Sequence, residues 1–346
     1  MSWMCKQDKK IKVIFYLWII LPFLWTAPSF AGKYAADFLR IGVGARPLAM
    51  GGAYVAAAND GSAFYWNPAG LPSLHKVSLQ FDHVPMFGGL AQYNAANVTI
   101  GLNPRMAIGL SWIRLGVDDI PRYAPLRGSS YDRLTRNQYR STGEGEGYFS
   151  DMEDALMVSF CRSFLFDMFF GSVISDNRVP MEISFGFTGK YIHQQLDANR
   201  GSGQGLDAGV MLRFLSDQST AGEPNTWLGF GVLARDLSRT EIVWNTSSNH
   251  KDQVETAVQA GVAFSKLAKI FHTRITLSLD QEFGFYKELY AGGELSFFNT
   301  LALRGGFYNK NFSAGAGLSF LGFTIDYAFI ANELANTHRL SGSFHF

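Results

Sequence analysis

The sequence predicts an all-β protein, a 14-stranded antiparallel transmembrane β-barrel with an N-terminal hatch (plug) in its lumen. Three observations predict it. From position 74 onward, apolar residues alternate with small or polar ones in recurrent segments of about ten residues, the length a tilted strand needs to cross a bilayer. Charged residues are only 17% of the 346-residue chain and aromatics are 15%, too little charge for the surface of a soluble protein of this size. The first 31 residues read as an export signal.

Lys6, Lys9, Lys10 and Lys12 precede an apolar run from Val13 to Trp25, and Ser29-Phe30-Ala31 is a small-x-small cleavage site. The expected organisation is therefore a signal peptide at 1–31, a hatch at 32–73 and a barrel at 74–346. Removing the signal takes four Lys and one Asp from 30 basic and 29 acidic residues, leaving 26 against 28. No charge excess points to nucleic acid. No later stretch holds the roughly 18 uninterrupted apolar residues of a transmembrane helix. Cys5 leaves with the signal, so Cys161 has no intramolecular partner and is expected to behave as a small apolar residue in a strand.

Lys33 to Leu71 is dense in Gly and Ala and has little periodicity. Small residues let backbones approach closely, which suits packing inside something else. Asn59 or Asp60 is placed to cap a helical turn over Ser62 to Trp66, which Pro68 ends. The runs Gly44-Ala45-Arg46-Pro47, Ala49-Met50-Gly51-Gly52-Ala53-Tyr54, Asp60 and Asn67-Pro68-Ala69-Gly70 resemble the start of the mature PorV/PorQ family of outer-membrane proteins, within the wider FadL-like barrel superfamily. The resemblance covers about forty residues. It implies a hatch at the periplasmic end of the barrel, with Arg46, Pro47, Met50, Gly51, Gly52, Asp60, Asn67 and Pro68 as hatch or gate residues.

Strands are predicted at 74–84, 89–101, 105–114, 152–164, 181–193, 203–215, 225–235, 254–266, 272–283, 287–298, 299–308, 310–320, 321–330 and 338–346. Val77, Leu79 and Phe81 alternate with Ser78 and Gln80; Ile183, Phe185, Phe187 and Tyr191 oppose Glu182, Ser184, Thr188 and Lys190. An even strand number puts both termini in the periplasm, and the two long polar connections, 115–151 and 236–253, then fall outside the cell. Residues 165–180, long and apolar for a periplasmic turn, fit either a short interfacial helix or a misplaced strand. Lipid offers the backbone no hydrogen-bond partners, so the last strand must close on the first. Leu340, Gly342, Phe344 and Phe346 share one face of the last strand, and the terminal Phe resembles the insertion signal of outer-membrane barrels. Fourteen strands enclose a lumen too wide for wall side chains to fill, and residues 32–73 are the obvious filler.

No residue pattern carries catalysis. Gly42-Val43-Gly44-Ala45-Arg46-Pro47 lacks the third glycine and the βαβ setting of a dinucleotide loop. The seven His have no metal-ligand spacing, no nucleophile motif stands out, and no cofactor is expected. Arg46 and Asp60 either pin the hatch to luminal charges (Glu182, Lys190, Asp207, Arg213 or Arg304) or belong to a moving gate. Trp112, Tyr191, Trp227, Tyr290 and Tyr308 are expected as interfacial anchors. Arg122, Tyr123, Arg127, Tyr131, Arg133, Arg136, Tyr139 and Arg140 make the third connection either a solvated loop or a partner-contact surface.

The expected partners are outer-membrane lipid and either a protein or a hydrophobic ligand. The PorV/PorQ resemblance implies a non-enzymatic accessory of type IX secretion that docks translocon or cargo. The wider superfamily implies uptake of hydrophobic small molecules.

Overall fold

The computed structural model describes residues 35–73, 77–139, 145–169, 178–216, 224–248, 250–284, 287–308, 311–332 and 336–346. The signal segment lies outside the described residues. Sixteen strands follow in chain order. The first seven are β1 (Val77–Met86), β2 (Ala91–Asn103), β3 (Met106–Arg122), β4 (Gly147–Phe169), β5 (Arg178–Leu196), β6 (Asn199–Leu215) and β7 (Thr226–Arg235). Two short strands, β8 (Glu241–Trp244) and β9 (Lys251–Gln253), form a hairpin. The last seven are β10 (Ala257–Ala268), β11 (Thr273–Phe283), β12 (Leu289–Phe297), β13 (Leu301–Tyr308), β14 (Asn311–Phe320), β15 (Phe323–Ile330) and β16 (Thr337–His345).

All but the hairpin strands form one closed antiparallel wall of fourteen strands, each paired with both neighbours. β16 closes on β1, with Ser78 opposite His345 and His83 opposite Leu340. Closure leaves the wall no open edge, the condition lipid imposes. The side-chain alternation follows. In β11, Thr276, Ser278, Asp280 and Glu282 are buried inside, while Ile275, Leu277 and Leu279 point outward. Outward Leu, Val, Ile and Phe recur on every wall strand and form the apolar band that lipid covers. An even-stranded antiparallel barrel with such a band is a bacterial outer-membrane protein.

The connections at one end include 123–146 and 236–256; those at the other include the two-residue links 104–105 and 321–322. The end with the longer connections is the outer one. Every predicted wall strand has a counterpart, but two predicted loops are partly strand. β3 runs to Arg122 and β4 starts at Gly147, so the third connection spans only 123–146. Residues 236–253 contain the β8–β9 hairpin. The outer ends of β3 and β4 project beyond the lipid, where the apolar alternation is lost, and β8 and β9, at four and three residues, are too short to show one. Residues 165–169 and 178–180 extend β4 and β5, which overturns an interfacial helix there. Phe164 and Phe166 are instead exposed on the wall near its inner end. Residues 170–177 lie outside the described residues.

Residues 35–73 fill the lumen. They contain two short helices, α1 (Ala45–Ala49) and α2 (Ala63–Trp66), with 3-10 turns at Asp37–Arg40 and Pro68–Ser73. Almost every residue from Val43 to Leu71 is buried. The wall opposite is glycine: Gly292 and Gly306 face the Met50 backbone, Gly231 faces Val55, and Gly186 faces Pro68 and Ala69. A Cβ at any of these would overlap hatch backbone. We expect Gly292→Ala and Gly306→Ala each to cost the docked hatch about 1–3 kcal/mol or more. The wall should still close. The check is limited proteolysis of the heat-modifiable barrel: the hatch should become cleavable in the variants and stay protected in the parent.

Candidate functional site in the lumen

The hatch is held by wall side chains on most sides. Arg46 on α1 places its fork on Glu294 of β12, with Nε and Nη2 each 2.8 Å from a carboxylate oxygen. Its Nη1 donates to Asn59 Oδ1 at 2.8 Å and lies 3.4 Å from Asp60. Tyr54 Oη donates to Asp60 Oδ2 at 2.7 Å. Behind Glu294, Arg304 bridges to Asp326, with 2.6 Å contacts to both carboxylates. Burial works against the charge on Arg46, and the facing carboxylates, Glu294 foremost, more than offset it and raise its pKa above the ordinary value.

Other wall groups bind hatch backbone. Asp280 accepts from Val55 N at 2.7 Å, Ser341 from Ala45 N at 2.7 Å, and Ser313 donates to Ala49 O at 3.1 Å. Arg213 donates to Ala58 O at 3.0 Å, and Cys161 Sγ, wholly buried, lies 3.4 Å from Ala69 O. Asn67 ties the hatch together, donating to Val55 O at 2.8 Å and accepting from Ala69 N at 3.1 Å. Asp60 receives the Ser62 amide at 2.9 Å just before α2, so it serves the turn as well as the ion cluster.

The predicted hatch residues Arg46, Pro47, Met50, Gly51, Gly52, Asp60, Asn67 and Pro68 thus all lie in the lumen. Of the candidate luminal charges, Arg304 joins the Arg46 network through Glu294, and Arg213 reaches the hatch by its backbone. Lys190 and Asp207 pair with each other and with Asp236 instead. Glu294 itself was hidden by its setting in Gly292-Gly293-Glu294. Only its inward phase on the strand, beside Arg304 on the next, marks it.

Above this body the first limb of the hatch, residues 35–43, packs into an apolar chamber in the outer half of the barrel. Phe38 and Val43 join Phe64, Val84, Tyr93, Ile113, Met157 and Ile192, and the β8–β9 hairpin closes over them with Ile242. Trp244 and Val254 pack against the same cluster. Arg40 holds the limb at the rim, 3.1 Å from Glu282 and 3.3 Å from Glu288. Tyr290 and Tyr308 stack there with centroids 4.9 Å apart, and both donate to Glu288. Below the body, toward the inner end, lies a polar cavity of about 160 Å³ between Arg46, Asp60, Gln80, Ser319, Ser343 and the turn residues Asn299 and Thr300.

One expectation needs correction. Trp227, Tyr290 and Tyr308 face the lumen, not the membrane interface: Trp227 packs under Arg213, its ring 5.0 Å from the guanidinium carbon, and the tyrosines bind Glu288. Their strands carry aromatics on both faces, which hides the phase. Trp112 and Tyr191 do point outward. Of the five candidate arginines at the third connection, three make contacts within the protein. Arg122 pairs with Asp197, Arg133 binds Gly128 O, and Arg136 pairs with Asp132. Tyr139 packs against Gly128, and Arg127 and Tyr131 are exposed. Arg140 lies outside the described residues. Leu340 and Phe346 are exposed on the outward face of the closing strand, and Phe344 stacks on Phe323 with centroids 4.2 Å apart.

Replacing Arg46 leaves Glu294 and Asp60 facing each other without it. Arg46→Ala is expected to cost hatch docking about 3–5 kcal/mol, and Arg46→Lys to recover only part because it lacks the fork. Single-barrel conductance in planar bilayers checks this: Arg46→Ala should open frequent ion-conducting events that the parent lacks.

No family model matches the chain, and no curated protein matches it. Among solved structures it is similar to the Ralstonia pickettii toluene transporter TbuX, at 14% identity and a TM-score of 0.45 over 88% of this chain and 98% of that one. It is similar to the Pseudomonas putida toluene transporter TodX, at 10% identity and 0.46 over 87% and 96%. A FadL homologue of Pseudomonas aeruginosa aligns at 11% identity and 0.40 over 86% and 96%.

Proposed function

We propose that this barrel is a non-enzymatic uptake conduit for small hydrophobic molecules. The carrying observation is the apolar chamber just inside the outer mouth, filled in this state by Phe38 of the hatch limb. The polar cavity below, at about 160 Å³, is smaller than the roughly 300–1,000 Å³ of a ligand pocket and lined with charge. The chamber therefore suits the ligand and the lower cavity suits water. The limb is also the part of the hatch best able to move. The body from 44 to 71 is pressed against wall glycines and pinned by wall side chains, whereas the limb makes no such close glycine approach to the wall. A ligand that takes the place of Phe38 displaces the limb and leaves the body seated.

Burying an aromatic ring is worth about 2 kcal/mol, so vacating the Phe38 position should strengthen binding of an apolar probe about thirtyfold. In nanodiscs, N-phenyl-1-naphthylamine should bind Phe38→Ala more tightly than the parent and Phe38→Trp more weakly. Equal affinities in all three would contradict the chamber as the ligand site.

A second reading, docking of a secretion translocon or cargo as the PorV/PorQ resemblance implies, draws on the third connection. There Ser129 and Asp132 form a capping box that orders α3 (Ser130–Thr135). Tyr123, Leu126 and Tyr131 stand exposed beside it, at 54%, 67% and 72%. Together with the exposed Arg127, these side chains are what a protein partner would meet. On this reading a large secretion protein co-purifies from outer membranes in mild detergent, and the double substitution Leu126→Asp with Tyr131→Asp abolishes it.

A further inference from the structure

We infer that the molecule this chamber accepts carries a hydrogen-bond-accepting oxygen on its apolar body, and that Tyr93 and Arg339 select it over a bare hydrocarbon. The inference rests on the uptake reading above. Tyr93 of β2 is wholly buried in the same cluster as Phe38, and among the described residues its hydroxyl has no hydrogen-bond partner. A buried hydroxyl left unpaired is costly, and a bound acceptor removes that cost. Arg339 of β16 lies against it, its guanidinium carbon 5.8 Å from the Tyr93 ring centre. Its two terminal nitrogens donate to Ile41 O at 2.8 Å and Gly42 O at 2.9 Å, and its Nε is buried without a partner.

The limb's other carbonyls meet donors too. Tyr65 Oη donates to Leu39 O, and Trp66 Nε1 donates to Val43 O at 2.7 Å. The limb is thus held in an apolar chamber by donors from the wall and the hatch body, and its own carbonyl oxygens satisfy them. A hydrocarbon that displaced the limb would leave this donor set, with the Arg339 charge in it, facing methylenes. A ligand bearing a carbonyl or carboxylate oxygen replaces what the limb supplied and also takes the Tyr93 hydroxyl, which the limb leaves unused. The selectivity lies in leaving no buried donor empty.

The test measures displacement of N-phenyl-1-naphthylamine from the full barrel in nanodiscs by three matched probes: naphthalene, 2-acetylnaphthalene and 2-naphthoate. The last two separate a neutral acceptor from an anionic one. Both should bind at least about tenfold more tightly than naphthalene, the scale of one hydrogen bond to a buried donor. Tyr93→Phe removes only an unpartnered hydroxyl and should fold normally, as heat-modifiable gel mobility checks. It should shrink that advantage severalfold and leave naphthalene binding unchanged. Arg339→Lys, which keeps the charge but loses the fork, should lower 2-naphthoate binding further. Equal displacement by all three probes, or an unchanged ratio in Tyr93→Phe, overturns the inference while leaving the uptake reading in place. Failure of every probe, naphthalene included, overturns the uptake reading and this inference with it.

Discussion

Backbone hydrogen bonding in lipid is the constraint on which the rest of this structure depends. A sheet edge cannot be left open in hydrocarbon, so the wall must close, and Ser78 to His83 of the first strand meet His345 to Leu340 of the last. Closure at fourteen strands then creates a second problem, because the enclosed space is wider than inward side chains can fill. The N-terminal segment solves it. Its small residues seat against glycines of the wall, and its exposed backbone groups are taken up by Asp280, Ser341, Ser313, Arg213 and Cys161. Most of these contacts are to hatch backbone, so they fix its path with little demand on its side chains.

The luminal charges divide the hatch into two parts with different jobs. Around Arg46 the charges are buried and linked in a chain, Asp60 to Arg46 to Glu294 to Arg304 to Asp326, in which each cation bridges two carboxylates. Such a chain costs much to open, because each ion removed strands its neighbours. At the rim Arg40 bridges two glutamates but remains about a third exposed, and water screens what it gains. Ionic pinning by carboxylates therefore weakens from the body of the hatch toward its first limb, where the apolar chamber lies. Of the two alternatives that the sequence leaves open for Arg46 and Asp60, the contacts of both fit the first, in which they hold the hatch body against luminal charge.

Much of the fold was legible in the sequence because one face of each strand must be apolar and the other need not be. That rule places Leu277 against lipid and Ser278 inside with no further information. It fails where lipid ends. The outer ends of β3 and β4 are strands in water and read as loop, and the β8–β9 hairpin is too short to show an alternation. It fails also where both faces are aromatic, as with Trp227 and Tyr290. The hatch motif was legible by its small residues. The chamber was not, since Phe38, Tyr93 and Arg339 come together only when β2, β16 and the limb share a lumen, and none of the three stands out from its local pattern.

The N-terminal segment packs against the inside of the wall, and the closed lumen depends on that packing. Ala45 and Ala49 of the hatch are buried together with Ala328 of β15. In a Cys161→Ala background, the pair Ala49→Cys and Ala328→Cys should form a disulfide on mild oxidation in intact outer membranes, seen as a joined peptide pair by mass spectrometry. Two free thiols that react with a water-soluble maleimide would contradict it, because the segment would then lie in water and the lumen would stand open.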